Sequence, residues 1–246
     1  MIADAILAQI LSSRQSGRQP WDNAPQRFSR MDRLIELLQS FQSPHVFNPW
    51  REDDPMDALA GGAGGRVARL RAHFDCKPAM ILVGEAPGYQ GCHFSGVPFT
   101  NEKLIMDGAI PRVSSAFRLT TRERPWCEPS ATIVWRTLRE FELADRTVLW
   151  NAFAWHPHKP DERMSNRTPT RSEVDSGVSC LRAVIEYFSG VPVVPVGQVA
   201  ARTLLQLRVP TLAPVRHPSM GGANAFREGI HGLVRNGLPG FQKAAQ

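Results

Sequence analysis

The sequence predicts an α/β fold, a three-layer α/β/α sandwich with a central, mainly parallel four-stranded sheet. Four short apolar runs rich in β-branched residues alternate with helical patterns, which is typical of a parallel sheet covered on both faces. Each run also ends in glycine or polar residues. We therefore expect a core domain at 76–246, preceded by a helical N-terminal embellishment at 1–75 that packs on the same domain.

The apolar runs place the strands at 79–84, 147–155, 191–197 and 211–218. Pro192 and Pro195 lie in the third run, so that strand is predicted to be short or at an edge. Helices are predicted at 28–41, 131–143, 172–188, 198–207 and about 224–236, with a glycine loop at 61–65 and a short helix after it. The first helix has one apolar face, formed by Phe28, Met31, Leu34, Leu38 and Phe41.

The chain carries 29 basic and 23 acidic side chains, a net charge of +6 that favours a polyanionic partner. Its first residues lack a secretory signal pattern, and no run of 18 apolar residues occurs, so we expect a cytoplasmic protein with no membrane partner. The cysteines at 76, 92, 127 and 180 contain no C-x-x-C pair, so neither a metal site nor a cofactor is expected.

Three stretches at strand ends hold the candidate site, because ligands of open α/β sheets bind beyond the carboxyl ends of the strands. The first, GEAPG at 84–88, is a glycine turn, and GVPF downstream places Phe99 either in the core or as a stacking platform. The second ends in Asn151, which either braces a loop or binds a ligand edge. The third contains His217, which Pro218 holds in position and which could also be structural.

In this order, the three stretches resemble the uracil-DNA glycosylase superfamily. GEAPG resembles the bacterial and archaeal branch with an iron–sulfur cluster, whose closely paired cysteines are missing here, and GVPFT followed by an acidic residue resembles the broad-specificity branch. The resemblance spans 78–236. It implies a monomeric, monofunctional glycosylase that flips uracil out of single- or double-stranded DNA and hydrolyses the N-glycosidic bond, leaving an abasic site in base excision repair.

The resemblance also implies roles for individual residues. His217 would donate to uracil O2, Asn151 would pair with O4 and N3–H, and Phe99 would stack on the base. The remaining substrate-binding positions implied are Gly84, Ala86, Pro87, Gly88 and Ser219. The DNA-binding positions implied are Arg216, Met220 and Gly221, with Met220 as a wedge.

The resemblance leaves two positions for the water-activating carboxylate, because Ala86 stands where the best-known branch has aspartate. Glu102 and Glu85 are both candidates; we favour Glu102, whose structural alternative is a carboxylate at a helix N-terminus. Gly88 stands where that branch has a tyrosine that blocks the thymine methyl group. The pocket is thus expected to admit bases beyond uracil, unless Tyr89 or Gln90 fills the space.

Two arginine-containing loops, 111–126 and 158–171, are predicted to track DNA phosphates. His156 and His158 in this region are interpreted as loop histidines. Two alternatives stay open: a non-catalytic or crosslinking DNA-binding member of the same fold, and a small-molecule α/β hydrolase. The second is disfavoured because G-x-S-x-G is absent.

Overall fold

The computed structural model describes residues 24–238, with side chains from residue 29 onward. The predicted features at 1–23 and 239–246, and the side chain of Phe28, lie outside this description. In chain order the helices and strands are α1 (Ala24–Ser40), β1 (Val46–Phe47), α2 (Ala63–Phe74), β2 (Met80–Gly84), α3 (Cys92–Ser95), α4 (Glu102–Met106), α5 (Pro129–Glu140), β3 (Thr147–Asn151), β4 (His156–Pro157), α6 (Arg171–Tyr187), β5 (Val193–Pro195), α7 (Gln198–Gln206) and α8 (Ala223–Arg235).

The central sheet is parallel, in the order β3-β2-β5. Its register pairs Gly84, the last residue of β2, with Asn151, the last residue of β3. The fourth predicted strand exists only as two isolated parallel bridges, from Thr211 to Val193 and from Val215 to Val196. The prediction of a continuous strand at 211–218 was therefore wrong in extent, although the segment runs beside β5 as expected.

Alternate side chains of β2 enter two separate apolar cores, as the two-residue period of a strand requires. Ile81 and Val83 belong to one core, together with apolar residues of α1, α2, α6 and α7. Met80 and Leu82 belong to the other, together with residues of α5 and α8. Helices thus cover both faces of the sheet, which confirms the predicted α/β class.

Two local predictions were wrong. The strand predicted at 147–155 ends at Asn151, because the chain turns there and forms a separate antiparallel pair of His156–Pro157 with Val46–Phe47. The glycine patch at 61–65 is only partly a loop, since α2 begins at Ala63.

The described part of the N-terminal segment packs directly on the predicted core domain. Leu34 and Leu38 of α1 are fully buried in the same apolar core as Leu181 of α6. No helix within 24–238 is long and apolar enough to cross a membrane.

Candidate functional site

The ends of β2 and β3 meet the 96–101 turn at one point. A Cβ atom on Gly84 would lie 2.3 Å from Phe99 Cζ and 2.8 Å from Asn151 Oδ1. Only glycine leaves room for both side chains, since contacts this short do not occur in folded proteins. The glycine that ends the apolar run is therefore required so that Phe99 and Asn151 can approach the backbone of β2.

Phe99 is held in place by its own backbone as well as by the core. Its φ is 50°, in the left-handed region that a bulky residue rarely adopts. The ring is 7% exposed and packs with Leu82 and Val194. Both sequence interpretations of Phe99 are therefore compatible with its position, because Phe99 belongs to this core and its ring also lies beside Gly84 and His217.

His217 reaches the same site from the segment that follows the bridge at Val215. Its ring centroid lies 5.8 Å from that of Phe99. Gly197, which follows β5 with φ 85°, donates its N–H to Val215 O at 2.9 Å, and a Cβ there would lie 3.3 Å from His217 Cβ. The ends of β2, of β3 and of the fourth segment, which carry the three predicted stretches, thus lie together, and Gly197 after β5 lies beside them.

The hydrogen bonds of His217 determine its tautomer. Its Nδ1 accepts the backbone N–H of Ser219 at 3.2 Å and lies 2.7 Å from Ser219 Oγ. Because a backbone N–H only donates, Nδ1 carries no proton, and the neutral ring must be protonated at Nε2. Burial, helped by Arg216, lowers the pKa of His217 to about 4. At neutral pH, His217 is therefore a neutral imidazole with one N–H donor available.

Asn151 is 3% exposed, yet its side-chain amide makes no hydrogen bond to any residue of the described chain. Neither amide atom belongs to the fully buried, unpartnered side-chain atoms of the described chain, so the amide keeps a small exposed surface. An Asn that only braced a loop would contact that loop, and the loop after β3 is held instead by backbone bonds from Ala152 N to Gly84 O and from Phe153 N to Glu85 O. The amide is thus available to a ligand.

The turn after Gly84 leads to a second polar surface. Ala86 packs against the core and Pro87 is buried. A Cβ on Gly88 would point at Asn166 Nδ2, 3.4 Å away, and at Glu128 Oε1, 3.6 Å away. Asn166 also accepts the N–H of Tyr89 at 2.9 Å. The space beside Gly88 therefore has a polar wall, formed by residues distant in sequence.

Glu102 is the first residue of α4, after the N-cap Asn101, and is completely buried. Its Oε1 accepts from Arg118 Nε (2.9 Å), Leu119 N (3.0 Å) and Thr120 N (3.0 Å). Its Oε2 accepts from Thr120 Oγ1 (2.6 Å) and Trp126 N (3.1 Å). Burial by itself raises the pKa of Glu102, but the bonds from Thr120 and Arg118 outweigh it and lower the pKa. Both oxygens are saturated, and Glu102 anchors the 118–126 loop.

Two other carboxyl groups near the 84–91 turn have no hydrogen bond or ion pair within residues 24–238. Glu85 directly follows Gly84 and is half-buried. Glu128, which the sequence analysis did not select, lies against Gly91, where a Cβ would meet its Oε2. Burial raises the pKa of Glu128 to about 7. The only sequence signal for Glu128 was its position before Pro129 at a helix start, which has no chemical specificity.

The residues after His217 are placed at the surface. Met220 is 92% exposed with φ 52°, and Gly221 follows it with φ 74°. Arg216 is also exposed. The structure thus places an exposed apolar side chain on a left-handed turn beside the convergent strand ends.

Several arginines of the two basic loops are paired within the protein. Arg118 contacts Glu102, Arg167 contacts Glu173 at 2.6 Å, and Arg163 contacts Asp54 and Glu52, both at 3.3 Å. These three side chains brace the loops, so the predicted phosphate contacts would have to be made by the other arginines of the two loops. No metal-binding group of three or more His, Cys, Asp or Glu side chains occurs between residues 24 and 238.

Comparison with solved structures shows the fold. The wild-type SMUG2 crystal structure from Pedobacter heparinus is similar to this chain, with a TM-score of 0.59 and 13% identity over 84% of this chain and 97% of that one. The family model of the uracil DNA glycosylase superfamily matches residues 72–231. The chain therefore belongs to the uracil DNA glycosylase superfamily. No curated protein sequence matches it.

Proposed function

We propose that the protein is a monofunctional DNA glycosylase that excises uracil from DNA and leaves an abasic site. The observation that carries this proposal is the side-chain amide of Asn151, a residue only 3% exposed, which has no partner among residues 24–238 and lies beside Phe99 and His217. An extruded pyrimidine stacked on Phe99 would present its edge to that amide, and membership of the superfamily supports DNA as the substrate.

The amide of Asn151 matches the hydrogen-bonding edge of uracil. Its N–H group donates to O4 and its Oδ1 accepts from N3–H. Cytosine presents a donor at position 4 and an acceptor at N3, so both groups of Asn151 would be left unpaired in a buried site. Sites of this kind reject such an analogue by large factors, because unpaired buried polar groups are costly.

His217 is suited to stabilise the departing base. Cleavage of the N-glycosidic bond leaves negative charge on the pyrimidine, which an N–H donor aimed at O2 stabilises. The neutral Nε2–H tautomer provides that donor without a change of protonation state during the reaction. A preorganised donor of this type is worth roughly 3–4 kcal/mol of transition-state stabilisation.

We assign the carboxylate that orients water and stabilises the sugar cation to Glu85. The sequence analysis favoured Glu102, but its two oxygens already accept five hydrogen bonds and have no lone pair left for water. Glu85 follows the glycine at the site and makes no competing contact in the described chain. In the same proposal, Glu128 and Asn166 form the wall beside the base where Gly88 leaves space.

The test uses oligonucleotides with one uracil, single- and double-stranded, incubated with the protein and then treated with alkali to cleave abasic sites. We expect strand cleavage at the uracil, and a loss of rate of about 100-fold or more in Asn151→Asp and His217→Ala. The exposed Asn236→Asp and His231→Ala are matched controls that should retain wild-type rates. Binding or crosslinking without cleavage would replace the proposal with a DNA-binding function.

A further inference from the structure

We propose that Asp54, His93 and His156 form a buried hydrogen-bonded chain that holds one proton more than two neutral imidazoles and an ionised carboxylate would hold. This chain positions the two loops of the site, which follow Gly84 and Asn151. His93 Nε2 lies 3.1 Å from Asp54 Oδ2, His93 Nδ1 lies 2.8 Å from His156 Nδ1, and His156 Nε2 lies 2.8 Å from Ser165 O. Asp54 is 5% exposed and both histidines are fully buried.

The proton count follows from the direction of each contact. Ser165 O is a carbonyl and only accepts, so His156 Nε2 must carry a proton. Three contacts require three donated protons, whereas two neutral imidazoles supply two and an ionised Asp54 supplies none. Without a third proton, one contact would place two lone pairs face to face at about 3 Å. The count holds whichever of the three side chains carries the extra proton.

Burial and neighbouring groups change the pKa values of the three side chains that could carry that proton. Burial lowers the pKa of His93, and Asp54 raises it again; burial also lowers the pKa of His156, to about 3. An imidazolium is therefore costly at either ring, and an all-neutral chain with the proton on Asp54 Oδ2 avoids this cost. For Asp54, burial by itself raises the pKa, but the hydrogen bonds from His93 and the Met56 N–H outweigh burial and lower it. The other two contacts use the protons of the two neutral rings, so the third proton lies on the 3.1 Å contact between Asp54 Oδ2 and His93 Nε2.

The charged groups around the chain are few. Arg163 lies 3.3 Å from Asp54 Oδ2, pairs also with Glu52 and stacks on Phe47. Arg66 is paired with Asp57 at 2.7 Å.

One further histidine lies nearby, since the His158 ring centroid is 5.9 Å from that of His156. The Phe47 ring stacks on His93 at 3.8 Å and separates it from solvent. None of these groups can place a proton between His93 Nε2 and Asp54 Oδ2.

The chain joins three segments of the protein. His93 lies in α3, between the Gly84–Gly88 turn and Phe99, and His156 lies five residues after Asn151. Asp54 comes from the segment before residue 72, where the superfamily match begins. The N-terminal segment therefore supplies a brace for both site loops. This positioning role rests on the proposed function, whereas the proton count does not.

The wild-type protein tests the count directly. Nitrogen-15 NMR of the histidine side chains and carbon-13 NMR of the Asp54 carboxyl group at pH 7 should show His156 protonated at Nε2 only, His93 protonated at Nδ1, and a third proton on either His93 Nε2 or Asp54. An ionised Asp54 beside a His93 with a bare Nε2 would overturn the proposal. This measurement requires neither activity nor a variant that folds.

Asp54→Asn tests the consequence, because the Asn amide donates permanently to His93 Nε2 while its oxygen still accepts from Met56 N. Above about pH 7, only the folded state of the wild-type protein holds the extra proton, because Asp and His side chains in the unfolded state are deprotonated at that pH. The unfolding constant should therefore rise tenfold per pH unit relative to Asp54→Asn, until the folded chain releases its proton to solvent. Uracil excision should decline over the same range in the wild-type protein only.

Asp53→Asn is the matched control, since Asp53 is exposed and an Asn oxygen can still accept the Ala63 N–H. It should retain the wild-type pH profile. Parallel stability profiles of Asp54→Asn and the wild-type protein from pH 7 to 10 would refute the proton-holding chain. A shifted stability profile without excision in either protein would instead refute the proposed function alone.

Discussion

Glu102→Gln and Glu85→Gln should have opposite effects, which separates a structural carboxylate from a catalytic one. The Gln side chain keeps one acceptor oxygen but replaces the other by an amide donor. In the orientation that preserves Oε1, the amide faces Thr120 Oγ1 and the Trp126 N–H. The hydroxyl can rotate and accept, but the backbone N–H cannot, so one buried donor loses its partner.

The expected loss of stability in Glu102→Gln follows from these contacts. An unsatisfied buried donor costs about 1–3 kcal/mol. The ion pair with the partly exposed Arg118 adds up to about 1 kcal/mol. The sum, about 1–4 kcal/mol, corresponds to a fall in Tm of roughly 2–16 °C for a chain of this size. Excision at a temperature where the variant stays folded should remain within about threefold of wild type.

Glu85→Gln should behave in the reverse way. Its carboxylate makes no hydrogen bond or ion pair within the described residues, so stability should change by less than about 0.5 kcal/mol. Loss of the group that orients water should lower the excision rate by about 100-fold. Thermal unfolding and single-turnover excision of both variants test the pair. A Glu102→Gln protein that unfolds like wild type and loses its rate would refute the assignment.

Two further substitutions test the local geometry. Gly84→Ala places a methyl group against Phe99 and Asn151, so we expect a stability loss of about 1–3 kcal/mol and strongly reduced excision. Gly64→Ala is the control, because a methyl group at Gly64 would meet nothing within 4 Å. Wild-type activity in Gly84→Ala would contradict the arrangement of the site. Glu128→Gln should be more stable than the wild-type protein by on the order of 2–3 kcal/mol at pH 8, and the two proteins should be equally stable at pH 4. The reason is that a raised carboxyl pKa makes the wild-type protein lose stability as the pH rises from about 4.5 to 7. Urea unfolding at both pH values measures this, and a pH-independent difference would contradict the raised pKa of Glu128.

The difference between the two glutamates illustrates what a motif leaves open. GVPFTNE places an acidic residue three positions after Phe99, and the resemblance implied a catalytic role for it. Whether that carboxylate is available depends on the 118–126 loop, whose N–H groups saturate it. A loop that folds back over some 20 residues leaves no periodic signal in the sequence.

The α/β class, most helices and the convergence of Gly84, Asn151 and His217 were determined by the sequence alone. Hydrophobic periodicity specifies which face of each element is buried, and parallel strands must bring their carboxyl ends to one edge. Only the tertiary structure decided the rest: the short fourth strand, the saturation of Glu102, the unpartnered carboxyl of Glu128, and the chain from Asp54 to His156. Each of these depends on contacts between segments distant along the chain, and hydrogen-bond partners at such separations are set by packing rather than by local residue patterns.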